Sequence, residues 1–423
     1  MKTLYLEKLI VCRSILQKPI IQKLAHVLEN TDDISAIADF SSDLIEMAEQ
    51  EGWSGNLIRA LILHLLSQEG SLAAQMTEAS QGAIGASLKK AFVSDMTILL
   101  PAFNQKASQL VPVSLLDDYQ PTLPHTLEAT AFLEQELSTK TSPEEITDAF
   151  LSFYSRYGYG EIASSQAFSW DEKSKRLRGI RHFEAMDFAD IIGYKRQKDQ
   201  LIANTEAFIN KRPANNVLLV GSRGTGKSSG VKALAKAYYT QGLRLVQMTK
   251  SQLTDLPVIM SLLRKYASKR FIIFFDDLSF EESDSEYKYL KSAIEGGVES
   301  RPENVLIYAT SNRRHLIRET WRDRQDGQDE LFRNDSINET ISLADRFGLI
   351  ITYLEPTQDE YLDIIDHYLR MEGYILERDE LRVLGHRWNL EHSGRSGRSA
   401  RQFVTHYLGS VEKPAYQRDV EEF

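Results

Sequence analysis

A single cysteine, Cys12, stands among 423 residues. It excludes an internal disulfide, and with no metal-binding or catalytic companion nearby it argues against thiol chemistry. A reduced setting fits, so a cytoplasmic protein is expected. Long apolar runs are also missing. The most apolar stretch, Leu57 to Leu66, contains Arg59 and His64 and has about half the length a spanning helix needs, so no membrane segment is expected. The first residues are interrupted by Glu7 and Arg13 and lead to no small-residue cleavage site, so no signal peptide is read. Positive charge is in deficit: 50 Lys and Arg face 60 Asp and Glu, a formal net charge of -10. That balance makes nucleic acid an unlikely partner, although local basic patches at Arg313-Arg314 and Arg395 to Arg401 stay open. No repeat or low-complexity tract is present, and 42% hydrophobic with 26% charged residues excludes disorder as the default. The length is too great for one ordinary core and implies two or three domains.

What is present falls into distinct stretches. Residues 1–155 read as a helical N-terminal domain, with Leu57, Leu61, Ile62 and Leu65 on one helix face and Gly70 as a stop. At Ser142-Pro143-Glu144-Glu145 a capping serine, a proline at the first helical position and a glutamate three residues on open a helix towards Tyr157. Residues 156–187 read as a linker carrying a hairpin, Ile162 to Ser169 and Leu177 to Phe183, joined by a charged turn. From Phe188 buried strands alternate with amphipathic helices. Asn216 to Val220, Arg244 to Met248, Phe271 to Phe275, Val305 to Ala309 and Leu349 to Tyr353 are short β-branched or aromatic runs of the kind buried on both faces. The expected fold class is α/β: a five-stranded parallel sheet flanked by helices over 188–355, then a small helical lid over 356–410 and a tail over 411–423. Arg322 to Glu339 is polar and charge-mixed, and is expected to be mobile.

Gly221-Ser222-Arg223-Gly224-Thr225-Gly226-Lys227-Ser228 matches G-x-x-x-x-G-K-[ST] at every fixed position and sits between a strand and a helix. Small residues let the backbone curl until its N–H groups point inward, and the following helix adds its positive end. Lys227 is placed to reach the β- and γ-phosphates, Ser228 to complete the coordination of Mg²⁺, and Ser229 to join the loop's nucleotide contacts. Val231, Leu234, Ala235 and Tyr238 give that helix its packing stripe. ATP and Mg²⁺ are the cofactors implied, since no [NT]-K-x-D guanine motif is evident. Phe271 to Phe275 ends in Asp276-Asp277, the Walker B arrangement. Asp276 is the expected Mg²⁺ ligand. Asp277 stands where hydrolytic members usually carry a water-polarising glutamate, one methylene longer, so slow hydrolysis is expected. Alternatively Asp277 caps the next turn, with Glu281, Glu282 or no residue serving as base.

With these motifs in place, Asp187 to Leu408 resembles the AAA+ ATPases, and most closely an uncharacterised bacterial AAA+-like family known only as a domain of unknown function. The phrases Arg212 to Asn216, Asp276 to Phe280, Tyr308 to His315 and Ser342 to Gly348 carry the resemblance. It implies that Ile192-Gly193-Tyr194 lines the adenine and ribose pocket. It also implies that Asn312 is the sensor-1 residue orienting water near the γ-phosphate, unless it merely ends its strand. Arg346 takes the place of an arginine finger presented to a neighbour's nucleotide, which implies a homo-oligomer; a surface pair with Asp345 is the alternative. Gly397 to Arg401 resembles the sensor-2 region, with Arg401 the first candidate and Arg398 the second, although Arg395, Arg398 and Arg401 also suit one solvated helix face. No aromatic-hydrophobic-glycine pore loop lies between Met248 and Phe271, which argues against polypeptide threading.

The expected function is that of a Mg-ATP-binding AAA+-type ATPase working as a nucleotide-dependent conformational switch, with Asp277, Asn312, Arg346 and Arg401 catalytic. An unknown protein client is expected to bind residues 1–155. Every phosphate-handling motif lies beyond Phe188, so nucleotide binding is expected to survive removal of those residues. Three alternatives stay open: a nucleotide-binding scaffold without turnover, a DNA-associated loader or remodeller, and, least favoured, a P-loop kinase.

Overall fold

The computed structural model describes residues 4–125, 127–281, 286–295, 301–312, 317–318, 343–392 and 394–410. The segment Arg322 to Glu339, the Arg313-Arg314 patch, Glu282, the side chain of Glu281 and the tail Val411 to Phe423 lie outside the described residues.

The first part of the chain is helical: α1 (Pro19–Glu29), α2 (Ile34–Glu51), α3 (Leu57–Gln68), α4 (Leu72–Ala79), α5 (Ala86–Asn104), α6 (Glu128–Leu137), α7 (Pro143–Tyr157) and the short α8 (Glu161–Ser164). Caps fix their ends. Asp33 accepts from the Ala36 N–H at the start of α2, and Gly52 closes that helix in the left-handed conformation. Ser142 and Glu145 form the expected capping box on α7. Phe92, Phe150, Phe153 and Tyr154 anchor one apolar cluster that runs through this whole helical half.

The strands are β1 (Ala167–Asp171), β2 (Arg176–Gly179), β3 (Val217–Gly221), β4 (Leu243–Met248), β5 (Arg270–Phe275), β6 (Phe280–Glu281), β7 (Val305–Ser311), β8 (Ile317–Arg318) and β9 (Leu349–Tyr353). Seven of them form one sheet in the order β2-β1-β4-β5-β7-β3-β9. All pairings in it are parallel except that of β1 with β2. Among the described residues the sheet therefore has seven strands, not the five expected, and the hairpin assigned to a linker is its edge. Ala167 pairs with Leu245 of β4, and Phe168 and Trp170 are buried under one face of the sheet. An isolated hairpin buries too little to be stable alone, and this one is completed by its neighbour.

Helices α9 (Lys195–Ile209) and α10 (Lys227–Ala237) cover one face through Leu201, Phe208, Val231 and Leu234. Helices α11 (Leu256–Arg264) and α12 (Tyr287–Glu295) cover the other through Leu256, Ile259, Leu263 and Leu290. The last three helices, α13 (Gln358–Met371), α14 (Arg378–Glu391) and α15 (Gly397–Ser410), enclose a small cluster of their own around Tyr361, Ile365 and Phe403.

The helical half is fastened to the N-terminal ends of β4 and β5 by two buried cations. Arg244 donates to the carbonyls of Tyr157 at 2.9 Å, Ile162 at 2.8 Å, Tyr239 at 2.9 Å and Leu243 at 2.8 Å. Lys269 pairs with Glu78 at 2.7 Å and donates to the carbonyls of Tyr154 at 3.1 Å and Ser155 at 2.7 Å. Burial pulls the Lys269 ammonium down to about 8 against the opposing pull of Glu78, and the Arg244 guanidinium down to about 10. Neither charge is left without partners, which is the condition for its being tolerated there.

Candidate nucleotide-binding site

Three strands end at one place. β3 runs into the glycine-rich loop, β5 into Asp276-Asp277, and β7, which lies between them in the sheet, into Asn312. Gly221 has φ +139°, and a Cβ there would fall 1.8 Å from the Tyr353 carbonyl oxygen of β9. No side chain fits, so the loop leaves the sheet tightly. Gly226 has φ +86° and opens α10, leaving the N–H groups of that helix end without intrahelical acceptors, as an anion site requires.

Lys227 is buried, and its ammonium donates to the carbonyls of Gly221 at 2.9 Å and Ser222 at 2.7 Å and to Asn312 Oδ1 at 3.2 Å. Burial pulls its pKa below the ordinary lysine value, with Asp277 and Asp276 opposing that shift and Arg223 and Arg398 adding to it. Ser228 donates its hydroxyl to Asp276 Oδ1 at 2.5 Å. Asn312 Nδ2 donates to Asp277 Oδ1 at 2.5 Å, and the Arg223 guanidinium stands 3.9 Å from Asp277 Oδ2. Thr225 is buried and closes the loop through the Ser222 carbonyl at 2.9 Å. Ser229 lies in the first turn of α10.

The lid meets this loop at its tip. The Gly397 N–H, at the start of α15, donates to the Gly224 carbonyl at 2.9 Å. A Cβ on Gly224 would lie 2.8 Å from Ser396 Oγ and 3.1 Å from Arg398 Cβ. Arg398 is thus the α15 arginine beside the glycine-rich loop. Arg401, the first candidate from the sequence, lies one turn further along α15, where its charge acts on Tyr368 of α13. Ile192 packs on the lid cluster, and Tyr194 donates its hydroxyl to the Leu354 carbonyl at 2.8 Å, so Ile192-Gly193-Tyr194 lies between sheet and lid. Gly193 and Tyr194 both adopt positive φ, +74° and +53°.

Arg346 is not with the others. It occupies the turn leading into β9, at the end of that strand remote from Tyr353 and the loop. Thr310 is the residue the sequence reading left without a role: it is buried, and it bonds both Asp276 and the Asp277 backbone. Its only signal was a polar residue following the apolar run Val305 to Ala309, a signal that Ser311 shares. A cleft of about 490 Å³ lined by Lys89, Asp148, Ser152 and Arg156 lies on the helical half, apart from this site. No cluster of three or more His, Cys, Asp or Glu among the described residues could hold a metal, and no described helix is long and apolar enough to cross a membrane.

The family model described as "Protein of unknown function (DUF815)" matches residues 163–411, more than half of the chain. The protein belongs to this family. The DUF815 match takes in the whole seven-stranded sheet and the last three helices, and starts beyond α7. No curated protein matches the chain. Among solved structures it is similar to the RuvB Holliday junction branch migration motor of Thermotoga maritima, at 19% identity over 52% of this chain and 63% of that one, with a TM-score of 0.37. The match thus spans less than two thirds of the RuvB chain. It is also similar to the AAA domain of FIGL-1 in complex with ADP, at 18% identity over 52% of this chain and 72% of that one, with a TM-score of 0.36. At such scores the likeness is too loose to bear on activity.

Proposed function

We propose that this DUF815 protein is an AAA+-type P-loop ATPase that binds Mg-ATP at Gly221 to Ser229 and uses it as a conformational switch. The observation that carries the reading is the convergence of Lys227, Ser228, Asp276, Asp277 and Asn312 at the C-terminal ends of three neighbouring strands. The donors suit the metal. Ser228 Oγ and Asp276 Oδ1 are hard oxygens 2.5 Å apart at the mouth of the loop, and Mg²⁺ characteristically takes one or two such protein ligands and fills its remaining positions with phosphate and water. When bound, the ion neutralises phosphate charge. Lys227, now satisfied by the loop's own carbonyls, would turn to the β- and γ-phosphates, and Arg398 would approach from the lid. Asn312 and Asp277 would hold the attacking water, with Asp277 accepting its proton. Ile192, Gly193 and Tyr194 would border the base and ribose between core and lid.

A second reading, a nucleotide-dependent scaffold without turnover, is favoured by one observation: the short Asp277 carboxylate is already engaged by Asn312 and stands close to Arg223. In both readings the helical half meets a protein client in the cytoplasm, and chains assemble through Arg346. Ligand bound only to the folded state stabilises it, by about 2.7 kcal/mol at 100 times Kd. Mg-ATP should therefore raise the melting temperature of the wild type and leave Lys227→Ala unmoved. Equal shifts in the two proteins would remove Lys227 from the site, and no shift in the wild type would overturn the proposal.

A further inference from the structure

Asp276 and Asp277 close β5, but the group that holds both of them belongs to β7. The last registered pair of these strands is Phe275 with Ala309, so Thr310 lies one step beyond it, level with Asp276. Its side chain is buried, 2% exposed. The Thr310 hydroxyl lies 2.7 Å from Asp276 Oδ1 and 2.8 Å from the Asp277 backbone nitrogen. The direction of both bonds is forced. The N–H can only donate, so the hydroxyl oxygen accepts from it; the ionised carboxylate can only accept, so the hydroxyl proton goes to Asp276. Asp276 Oδ1 also accepts from Ser228 at 2.5 Å, and is thereby gripped by two hydroxyls, one from the first turn of α10 and one from the end of β7. Asp277 itself sits at φ +53°, a conformation that residues with a Cβ visit rarely. Its N–H is supported there by Thr310, and the next N–H, that of Leu278, donates to the Thr310 carbonyl at 2.7 Å.

We propose that Thr310 is a positioning residue for the cation and the attacking water: it aims the Asp276 carboxylate beside Ser228 and locks the left-handed turn that sets Asp277 against Asn312. The inference deepens the Mg-ATP reading and rests on it. Valine matches threonine in shape and lacks both bonds, whereas serine keeps the hydroxyl.

The test is a titration of Mg²⁺ against the binding of fluorescent mant-ATP, with binding in EDTA and thermal melting as controls, for wild type, Thr310→Val, Thr310→Ala and Thr310→Ser. Thr310→Val should bind in EDTA as the wild type does but need about tenfold or more Mg²⁺ to reach half-maximal tightening, the usual scale for a group that orients a metal ligand. Thr310→Ser should restore the wild-type midpoint. If Thr310→Val and Thr310→Ala lower the melting temperature while their Mg²⁺ midpoints stay at the wild-type value, the role is structural only and the proposal falls, with the Mg-ATP reading intact. If the wild type binds no nucleotide, or binds it without regard to Mg²⁺, that reading fails and this inference fails with it.

Discussion

Of the two arginines near the start of α15, Arg398 lies closer to the glycine-rich loop because of where that helix starts. α15 begins at Gly397, whose N–H is bound to the phosphate loop, so the next residue, Arg398, stands at the Gly224 tip, and its charge is felt by Lys227. Arg401 is carried three residues further, to Tyr368. A charge-assisted hydrogen bond to phosphate is worth about 1.5–3 kcal/mol, roughly a tenfold to hundredfold effect. Arg398→Ala should therefore cost at least about tenfold in kcat/KM for ATP, and Arg401→Ala should stay within about twofold. Steady-state turnover of the two variants checks it, and the reverse ranking would return the phosphate-sensing role to Arg401.

At the scale of elements, β5 joins two charged ends. Its C-terminus carries Asp276-Asp277, and Lys269 immediately precedes its N-terminus, about 20 Å away at a strand rise of about 3.3 Å per residue. Lys269 is held by Glu78 of α4 and by carbonyls of α7, both outside the family match. Sequence alone led to the expectation that residues 1–155 can be removed without loss of nucleotide binding. The seam points the other way. Cutting the chain there strips Lys269 of Glu78, Tyr154 and Ser155. The cut also uncovers the apolar side chains of Tyr157, Ala163 and Tyr239, which the helical half buries, and exposed apolar surface costs about 25 cal/mol per Å². Residues 156–423 expressed alone should aggregate or lose cooperative unfolding, as followed by circular dichroism. A soluble truncated chain that melts within a few degrees of the full protein and binds ATP would show that the seam is dispensable.

At the scale of the whole molecule, Arg346 stands apart from the glycine-rich loop of its own chain. It enters β9 at the end opposite Tyr353, and Tyr353 is the residue that touches Gly221 of the loop. If chains assemble as proposed, an arginine at this end of β9 would act on a neighbouring copy's nucleotide. An arginine supplied in trans is worth roughly 10³–10⁵ in rate. Turnover per chain should fall steeply on dilution, and Arg346→Ala should bind ATP without turning it over. A mixture of Arg346→Ala with Lys227→Ala should regain activity, since one supplies an intact pocket and the other an intact arginine. Activity that stays constant on dilution, with a dead mixture, would make Arg346 a structural residue.

Much of the site was legible in the sequence because its parts are contiguous. The loop from Gly221 to Ser228, the carboxylates closing β5 and the capping box on α7 each depend on neighbours within a few residues, and backbone geometry ties those neighbours together wherever the chain goes. The strands were legible as apolar runs for the same reason. Pairing across the sheet was not, because hydrophobic pattern says that a strand is buried and not which strand lies beside it. Only the folded chain put β1 next to β4, brought Thr310 level with Asp276, set Arg398 and not Arg401 at Gly224, and buried Arg244 and Lys269 against the helical half. Each of these is a contact between residues distant along the chain, fixed by packing and by the need to satisfy buried polar groups.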